Sequence, residues 1–316
     1  MLSEAFGLGD CMITPQYLFQ NAEKYGNMPA MSTRKGEAVR GEEWQWNTDT
    51  WSEVLEKTLA IAKSLHAMGY EKHDKLSIYS YNRPEWFLLY AASQMLNGVA
   101  VGVYHTCSPE EVEWVVGNSE SKFVFVGTNP QGGNDPEKMP NTRMDKIMSN
   151  LPLIQNAVVL EDSGSMESDR AMSWSDFLAK GEGVETSVIK ERMNGVDLQD
   201  TCALIYTSGT TGLPKACVIT HQKYIGSGSM MCAIYGVQRD DIVFHSGMPL
   251  YHSAAGMLGA GCMVTTGVTL VLTRKFSAST FFKTCTFVLS LLLSRLFFFW
   301  NHHHHKHKQV HNSELP

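Results

Sequence analysis

The sequence predicts an α/β protein, a mostly parallel sheet flanked by helices on both faces, and three observations predict it. Short apolar runs of strand type stand at residues 75–79, 99–104, 123–126 and 157–160, and again at 203–206, 216–219, 242–244 and 268–272. Segments with helical spacing of apolar residues fall between them. The runs are apolar on successive positions rather than on alternate ones, as strands buried on both faces must be. Alternation of strand and helix brings successive strands parallel, and ligands then belong at the carboxyl ends of those strands.

Taken in order, residues 15–25 carry a first helix candidate, and the stretch before it has no readable role. Trp51, Val54, Leu55, Leu59, Ala62, Leu65 and Met68 recur at helical spacing and Gly69 supplies a stop, so this stripe reads as core packing. Asn82-Arg83-Pro84-Glu85 forms the turn that opens an apolar helix running to about residue 96. Ser108-Pro109-Glu110-Glu111 is a helix start, with Ser as N-cap, Pro in the first helical position and Glu three residues after the cap. Residues 127–156 hold Pro130, Pro136, Pro140 and Pro152 and the pair Gly132-Gly133, which reads as a long surface excursion. The strand pattern resumes at 157–160, so no domain boundary is expected there. A polar loop at 162–169 and a short helix at 173–180, capped by Ser173, follow. Beyond residue 215 come a strand at 216–219, a helix from about His221, a strand at 242–244, a small-residue helix at 254–264 and a strand at 268–272.

Composition sets bounds on function. With 316 residues, 43% of them hydrophobic, the chain can bury a large core as one large or two modest domains. A net charge of −6 supplies no general electrostatic reason to bind nucleic acid. The seven cysteines are scattered, with no C-x-x-C pair, which fits a reducing compartment rather than a disulfide framework or a zinc ribbon. The first residues carry Glu4 and Asp10 and lack a basic stretch leading into an apolar run, so no secretory signal is expected.

The stretch with the most chemistry is Thr207-Ser208-Gly209-Thr210-Thr211-Gly212-Leu213-Pro214-Lys215, at the end of the apolar run Ala203-Leu204-Ile205-Tyr206. A strand that breaks into glycines, small hydroxyl residues and a lysine presents backbone N–H groups, hydroxyls and an ammonium to one anion. A nucleotide phosphate is the obvious ligand. The common phosphate loop has four residues between its glycines and Ser or Thr after its lysine, whereas two residues separate Gly209 from Gly212 here and Ala216 follows Lys215. A different class of phosphate loop is therefore expected. Tyr251 and His252 lie just beyond the strand at 242–244, where an imidazole can hydrogen-bond a carboxylate or phosphate, although the ordinary reading of a lone histidine is structural.

The run 206–215, followed by Pro249-Leu250-Tyr251-His252, resembles the adenylate-forming (AMP-binding) superfamily of acyl-CoA synthetases, luciferases and peptide-synthetase adenylation domains. Within it, Asn82-Arg83-Pro84-Glu85-Trp86 and Tyr104-His105-Thr106-Cys107-Ser108-Pro109-Glu110 are similar to long-chain acyl-CoA synthetases. Residues 249–259 and Arg274-Lys275-Phe276-Ser277-Ala278-Ser279 resemble the very-long-chain, fatty acid transport protein branch. The resemblance spans about residues 15–282. It implies a partial N-terminal domain of the acyl-CoA synthetase fold and a two-step reaction. A fatty carboxylate attacks the α-phosphate of ATP to give acyl-adenylate and pyrophosphate, and the thiol of coenzyme A then displaces AMP. By resemblance, Thr207, Ser208, Gly209, Thr210, Thr211, Gly212 and Lys215 hold the triphosphate, and Thr207 its Mg²⁺. Tyr251 and His252 then lie beside the adenylate and the acyl entrance, with His252 the expected catalytic residue. Donors fixed in advance stabilise charge developing at phosphorus without reorganising, which suits this reaction.

The departures carry expectations as well. Family members continue beyond this chain's length, and the acidic Mg²⁺ ligand, the ribose aspartate, the hinge arginine and the mobile lid domain with its lysine have no counterpart in it. An incomplete AMP-binding domain at 1–282 and an atypical apolar and His-rich tail at 283–316 are expected, the tail reading as a retained intron, a frameshift or a misplaced gene end. Residues 281–300 have the length of a membrane span but include Lys283 and Arg295, and a charge near the bilayer centre costs about 2.5–3.5 kcal/mol. Six histidines between His302 and His311 can bind metal adventitiously. The function expected is a long-chain fatty acid–CoA ligase, ATP-dependent and AMP-forming, impaired by truncation. It would be cytoplasmic, at an intracellular membrane surface where it associates peripherally or through the tail. Two further readings stay open: a non-catalytic membrane-associated fragment that keeps the nucleotide loop, and an adenylating enzyme for other acids such as amino or aryl acids.

Overall fold

The computed structural model describes residues 12–34, 44–128, 139–160, 165–207, 212–244 and 247–289. In chain order the elements are α1 (Thr14–Tyr25), β1 (Pro29–Arg34), β2 (Trp46–Thr50), α2 (Trp51–Ala67), β3 (Lys75–Tyr79), α3 (Pro84–Met95), β4 (Val99–Val103), α4 (Pro109–Asn118) and β5 (Ser121–Val126). There follow α5 (Pro140–Ile147), β6 (Asn156–Val159), β7 (Ala171–Ser173), α6 (Trp174–Ala179), α7 (Thr186–Asn194), β8 (Thr201–Thr207), β9 (Lys215–Thr220), α8 (His221–Tyr235) and β10 (Ile242–Phe244). A π-helical turn (Ala254–Gly259) leads into α9 (Ala260–Thr266), then β11 (Thr269–Leu272) and a helix at 278–289, α10.

These elements build two sheets, one of seven strands in the order β7-β6-β5-β3-β4-β8-β9 and one of four in the order β10-β11-β1-β2. Neighbours in the larger sheet are parallel except β8 and β9. In the smaller sheet only β1 and β2 are antiparallel. The mostly parallel architecture expected from the strand–helix alternation is thus present.

Alternation of side chains across the strands explains why they read as continuous apolar runs. In β5, Phe123 and Phe125 enter one core while Val124 and Val126 enter the other. The first core also holds Leu76 and Ile78 of β3 and much of α2 and α3. The second holds Val112, Val115 and Val116 of α4. So α3, which joins β3 to β4, and α4, which carries the chain from β4 past β3 to β5, lie on opposite faces of the sheet. Connections that part in this way open a crevice at the carboxyl ends of β3 and β4.

Local chemistry sets the helix starts. Thr50 accepts from the Glu53 N–H at 3.3 Å while the Glu53 carboxylate accepts from the Thr50 N–H at 2.7 Å, a reciprocal cap that opens α2. Ser108 and Glu111 repeat it at α4, and Ser173 caps α6 as expected.

Two regions depart from the sequence reading. Residues 139–154 are not a surface excursion: Pro140 opens α5 in a position that needs no N–H, and Met144, Ile147, Met148, Leu151 and Ile154 are buried in the second core. Apolar residues at helical spacing here outweigh the proline count; residues 129–138, with Pro130, Pro136 and the glycine pair, lie outside the described residues. The run Ala216-Cys217-Val218 is a strand but an exposed one, because β9 forms the edge of the larger sheet, and Val218 is 50% exposed. Helix α10 lies against β2, its Phe287 ring stacked on Trp46 with centroids 3.7 Å apart. Most of the possible span at 281–300, and all of the histidine-rich run, fall outside the described residues. Among those described, no helix is long and apolar enough to cross a membrane.

Candidate active site

Three strands of the larger sheet, β3, β4 and β8, end on one side, and the candidate site is assembled on those ends. Thr207 closes β8 and Lys215 opens β9, and the two are register partners in the antiparallel pair. The expected phosphate stretch therefore connects two strands paired antiparallel. Ser208, Gly209, Thr210 and Thr211 lie outside the described residues. Thr207 and Lys215 are both exposed, and Gly212 has φ +135°, a conformation that a side chain would strain. The roots of the hairpin are fixed from β4 and α4. The Tyr104 hydroxyl donates to the Tyr206 carbonyl at 2.6 Å, the Trp114 indole N–H to the Pro214 carbonyl at 2.9 Å, and the Tyr206 hydroxyl to Asn118 Oδ1 at 2.7 Å.

The second part is the turn that carries Tyr251 and His252. Asn82, just past β3, holds it: its amide donates to the Met248 carbonyl at 2.7 Å, and its Oδ1 accepts from the Leu250 N–H at 2.8 Å. The same amide donates to Thr273 O at 3.2 Å, which ties the start of the larger sheet's crevice to the smaller sheet. The turn lies so close to β4 that a Cβ on Gly102 would come within 2.5 Å of Tyr251 Cβ. Tyr251 is buried and stacks on Tyr104 with centroids 4.5 Å apart, and its hydroxyl pairs with His105 Nδ1 at 2.7 Å.

Burial controls the proton inventory of this cluster. It pushes the Tyr251 phenol well above its ordinary value, with the Tyr104 phenol beside it adding to the shift. Burial, with Lys275 and His252 near by, pushes His105 down to about 4. At neutral pH the phenol is therefore protonated and the imidazole uncharged, and the bond joins two neutral groups, its direction set by the imidazole tautomer. His252 is exposed at its rim and sits 4.9 Å from the Tyr104 ring; partial desolvation lowers its pKa too, which leaves a neutral imidazole at the mouth of the crevice.

The third part is a narrow apolar pocket with about 20 Å³ of free space, open to solvent at its mouth. Trp86, Tyr90, Gly102, Ile205, Tyr224 and Met257 are among its walls, with Tyr251 closing one side. Tyr251 thus faces the pocket and, through Tyr104, is linked to the hairpin root. A concave apolar pocket beside a few convergent polar groups is the usual form of a small-molecule site. The hairpin donors suit a phosphate chain: one hydroxyl, one ammonium and a glycine-bearing turn. Among the described residues no three His, Cys, Asp or Glu side chains gather as a metal cluster. A Mg²⁺ ion held chiefly by phosphate oxygens and water needs few protein ligands, and the Thr207 hydroxyl fits that use.

The model of the AMP-binding enzyme family matches residues 18–290. The chain belongs to the AMP-binding enzymes. Among its relatives is the long-chain-fatty-acid–CoA ligase ACSBG2 of Gallus gallus, 28% identical over 259 residues that make up 80% of this chain and 32% of the relative. The ACSBG2 of Xenopus laevis is 25% identical over 275 residues, 85% of this chain and 34% of the relative. This AMP-binding chain therefore spans about a third of the length of the curated relatives it matches. Its fold is that of solved ligases. The long-chain-fatty-acid–CoA ligase FadD1 of Archaeoglobus fulgidus superposes with a TM-score of 0.66 at 18% identity, covering 85% of this chain and 48% of that one. The N-terminal domain of FACL13 from Mycobacterium tuberculosis does so with a TM-score of 0.64 at 20% identity, covering 90% and 61%.

Of the residues expected at the site, Thr207, Gly212 and Lys215 meet at the hairpin and Tyr251 and His252 at the adjoining turn. Sequence reasoning assigned no role to His105, Tyr104, Trp114 or Asn82. A signal for three of them was present, since Asn82, Tyr104 and His105 directly follow strands whose carboxyl ends hold ligands. Trp114 sits mid-helix and gives no such signal.

Proposed function

We propose that this chain carries the nucleotide- and acyl-binding part of a long-chain fatty acid–CoA ligase. The observation that carries the proposal is the junction at Tyr251, where the exposed hairpin of Thr207 and Lys215 and the apolar pocket adjoin through the Tyr104 stack. An adenylating enzyme must hold a phosphate chain and an acyl chain so that one carboxylate oxygen reaches the α-phosphorus. The names of the curated relatives support long-chain fatty acids over amino or aryl acids, and the uncharged pocket wall agrees with them.

In this reading Thr207, Ser208, Gly209, Thr210, Thr211, Gly212 and Lys215 bind the triphosphate of ATP, and the Thr207 hydroxyl takes a place on Mg²⁺. The neutral His252 imidazole, at the mouth, orients the acyl carboxylate or the phosphate oxygen by hydrogen bonding, and Tyr251 forms the wall between the two subsites. The carboxylate attacks phosphorus, pyrophosphate leaves, and coenzyme A takes the acyl group in a second step that releases AMP. Association with a membrane surface, where such acids partition, completes the proposal.

Titration of the chain with Mg·ATP, for wild type and Lys215→Ala, tests it. Saturable binding that the substitution weakens at least tenfold is expected, together with binding of hexadecanoate but not of benzoate or phenylalanine. Absence of ATP binding in a folded wild type would support a structural relic instead, and a preference for the aryl or amino acid would reassign the substrate.

A further inference from the structure

Outside the crevice, two buried thiols meet where α8 crosses α9. The helices touch through their glycines: a Cβ on Gly228 would stand 2.4 Å from the Gly261 carbonyl carbon, so backbone lies on backbone there. Cys262 directly follows Gly261, and Cys232 stands one helical turn after Gly228. The Cys262 thiol donates to the Gly228 carbonyl, with Sγ 3.5 Å from the oxygen. Inside an α-helix that carbonyl also accepts from the N–H four residues on, which is that of Cys232. The Cys232 Sγ in turn lies 3.9 Å from the hydroxyl oxygen of Thr265, one turn beyond Cys262 on α9. Each sulfur is thus seated against the stretch of helix that carries the other. Both thiols are free, and the side chains are buried, with Cys232 7% exposed and Cys262 2%.

The two sulfurs are unlike. A hydrogen bond from the Cys262 thiol, helped by the Thr265 and Thr266 hydroxyls, holds Cys232 below the ordinary thiol range, while Cys262, as the donor, is held well above it. One cysteine has thiolate character and the other sets a second sulfur beside it, the relation of an attacking to a resolving cysteine. Burial instead pushes Cys107 up to about 11 and Cys202 up to about 12, which makes inert thiols of them. Both helices also wall the pocket, α8 through Tyr224, two turns before Cys232, and α9 through Ala260, two residues before Cys262.

We infer that Cys232 and Cys262 are a redox-active dithiol, that a peroxide converts it to a disulfide, and that this bond ties together two helices of the pocket wall. The Cys232 thiolate attacks one oxygen of hydrogen peroxide and the O–O bond breaks. Cys232 becomes a sulfenic acid, and the departing hydroxide takes up the proton that the thiol had released, giving water. The Cys262 sulfur then attacks the Cys232 sulfur, its proton goes to the leaving hydroxyl, and a second water departs as the S–S bond forms. Two thiols are oxidised by two electrons, and one peroxide is reduced to two waters. The effect on the pocket rests on the acyl-pocket reading of the proposed function, whereas the thiol chemistry does not. With about 20 Å³ of free space, the pocket must widen to admit an acyl chain, and helices joined by a covalent bond yield less.

Hydrogen peroxide treatment of the purified chain, followed by alkylation and non-reducing peptide mapping, tests this. A linked peptide of Cys232 and Cys262, lighter by two hydrogens than its two free halves together, is expected at peroxide levels that leave Cys107 and Cys202 as thiols, and dithiothreitol should reverse it. Both thiols still free once the exposed Cys217 has been oxidised would overturn the inference. So would Cys232 carried to sulfinic acid while Cys262 stays a thiol. Binding of a fluorescent fatty acid by the same samples is expected to weaken several-fold on oxidation and to recover with dithiothreitol, and Cys262→Ser should abolish that response. Unchanged binding in a chain that carries the disulfide overturns the link to the pocket. If the reduced chain binds no fatty acid, the acyl-pocket reading fails on its own, and the peptide map still decides the thiol pair. Should Cys262→Ser not fold, the wild-type map and its reversal by dithiothreitol decide alone.

Discussion

The hairpin from Thr207 to Lys215 and the turn carrying Tyr251 meet on the same strand ends but are held in opposite ways. The hairpin is anchored at its roots by Tyr104 and Trp114 while Thr207 and Lys215 face solvent. The Tyr251 turn is pinned along its length, by Asn82 to the backbone, by Gly102 through close approach and by His105 at the phenol. The difference suits the two jobs proposed. A phosphate brings its own charge and is met by exposed donors, whereas an apolar chain is shaped by a wall that must already be in place.

The largest effect expected belongs to the far end of the hairpin, where β9 runs into α8. His221 is fully buried there, neither of its ring nitrogens has a hydrogen-bond partner among the described residues, and burial pushes its pKa down to about 4 against the opposing pull of Asp200 and Asp197. The unfolded chain takes up a proton near pH 6.5 and the folded chain does not, so stability is full above about pH 6.5 and is lost as pH falls towards 4. The loss from this one group reaches about 3 kcal/mol. Denaturant melts over that pH range should show it, and His221→Leu should flatten the slope.

Gly102→Ala attacks the pinned turn directly. With the new Cβ 2.5 Å from Tyr251 Cβ, the turn must move away from β4, at an expected cost of about 1–3 kcal/mol in denaturant unfolding, with weakened fatty acid binding. Lys215→Ala attacks the exposed partner and should do the reverse, weakening ATP at least tenfold with no measurable change in melting temperature. Met257→Trp fills the pocket from the partly exposed π-helical turn. It should weaken hexadecanoate several-fold more than octanoate in displacement assays and leave ATP titrations unchanged. Trp114→Phe, which removes only the N–H to Pro214 O, should weaken ATP two- to threefold by loosening the hairpin root. If Lys215→Ala unfolds the chain, or Gly102→Ala leaves fatty acid binding intact, the contrast between the two regions breaks down.

Much of this arrangement was legible in the sequence because its signals are local. Apolar runs of strand length, the caps at Ser108 and Ser173 and the hydroxyl-glycine-lysine stretch each act within a few residues. The fold class and Thr207, Gly212 and Lys215 followed from them. What was not legible depends on distant pairing. That β9 is an exposed edge was hidden, since Ala216-Cys217-Val218 is as apolar as a central strand. Asn82 holding residues 248–250, more than 160 positions away, leaves no mark on either segment alone. The buried α5 was masked by the prolines of the stretch around it, although Pro140 is the residue that starts it.

The central claim is that the hairpin and the pocket are two halves of one site joined at Tyr251. A nonreactive acyl-adenylate mimic, hexadecanoyl-sulfamoyl-adenosine, tests it most directly by spanning both halves. One equivalent is expected to displace a bound ATP analogue and a bound fluorescent fatty acid from the chain with the same midpoint. Displacement of one ligand but not the other would show that the two halves do not form a common site, and would contradict the account.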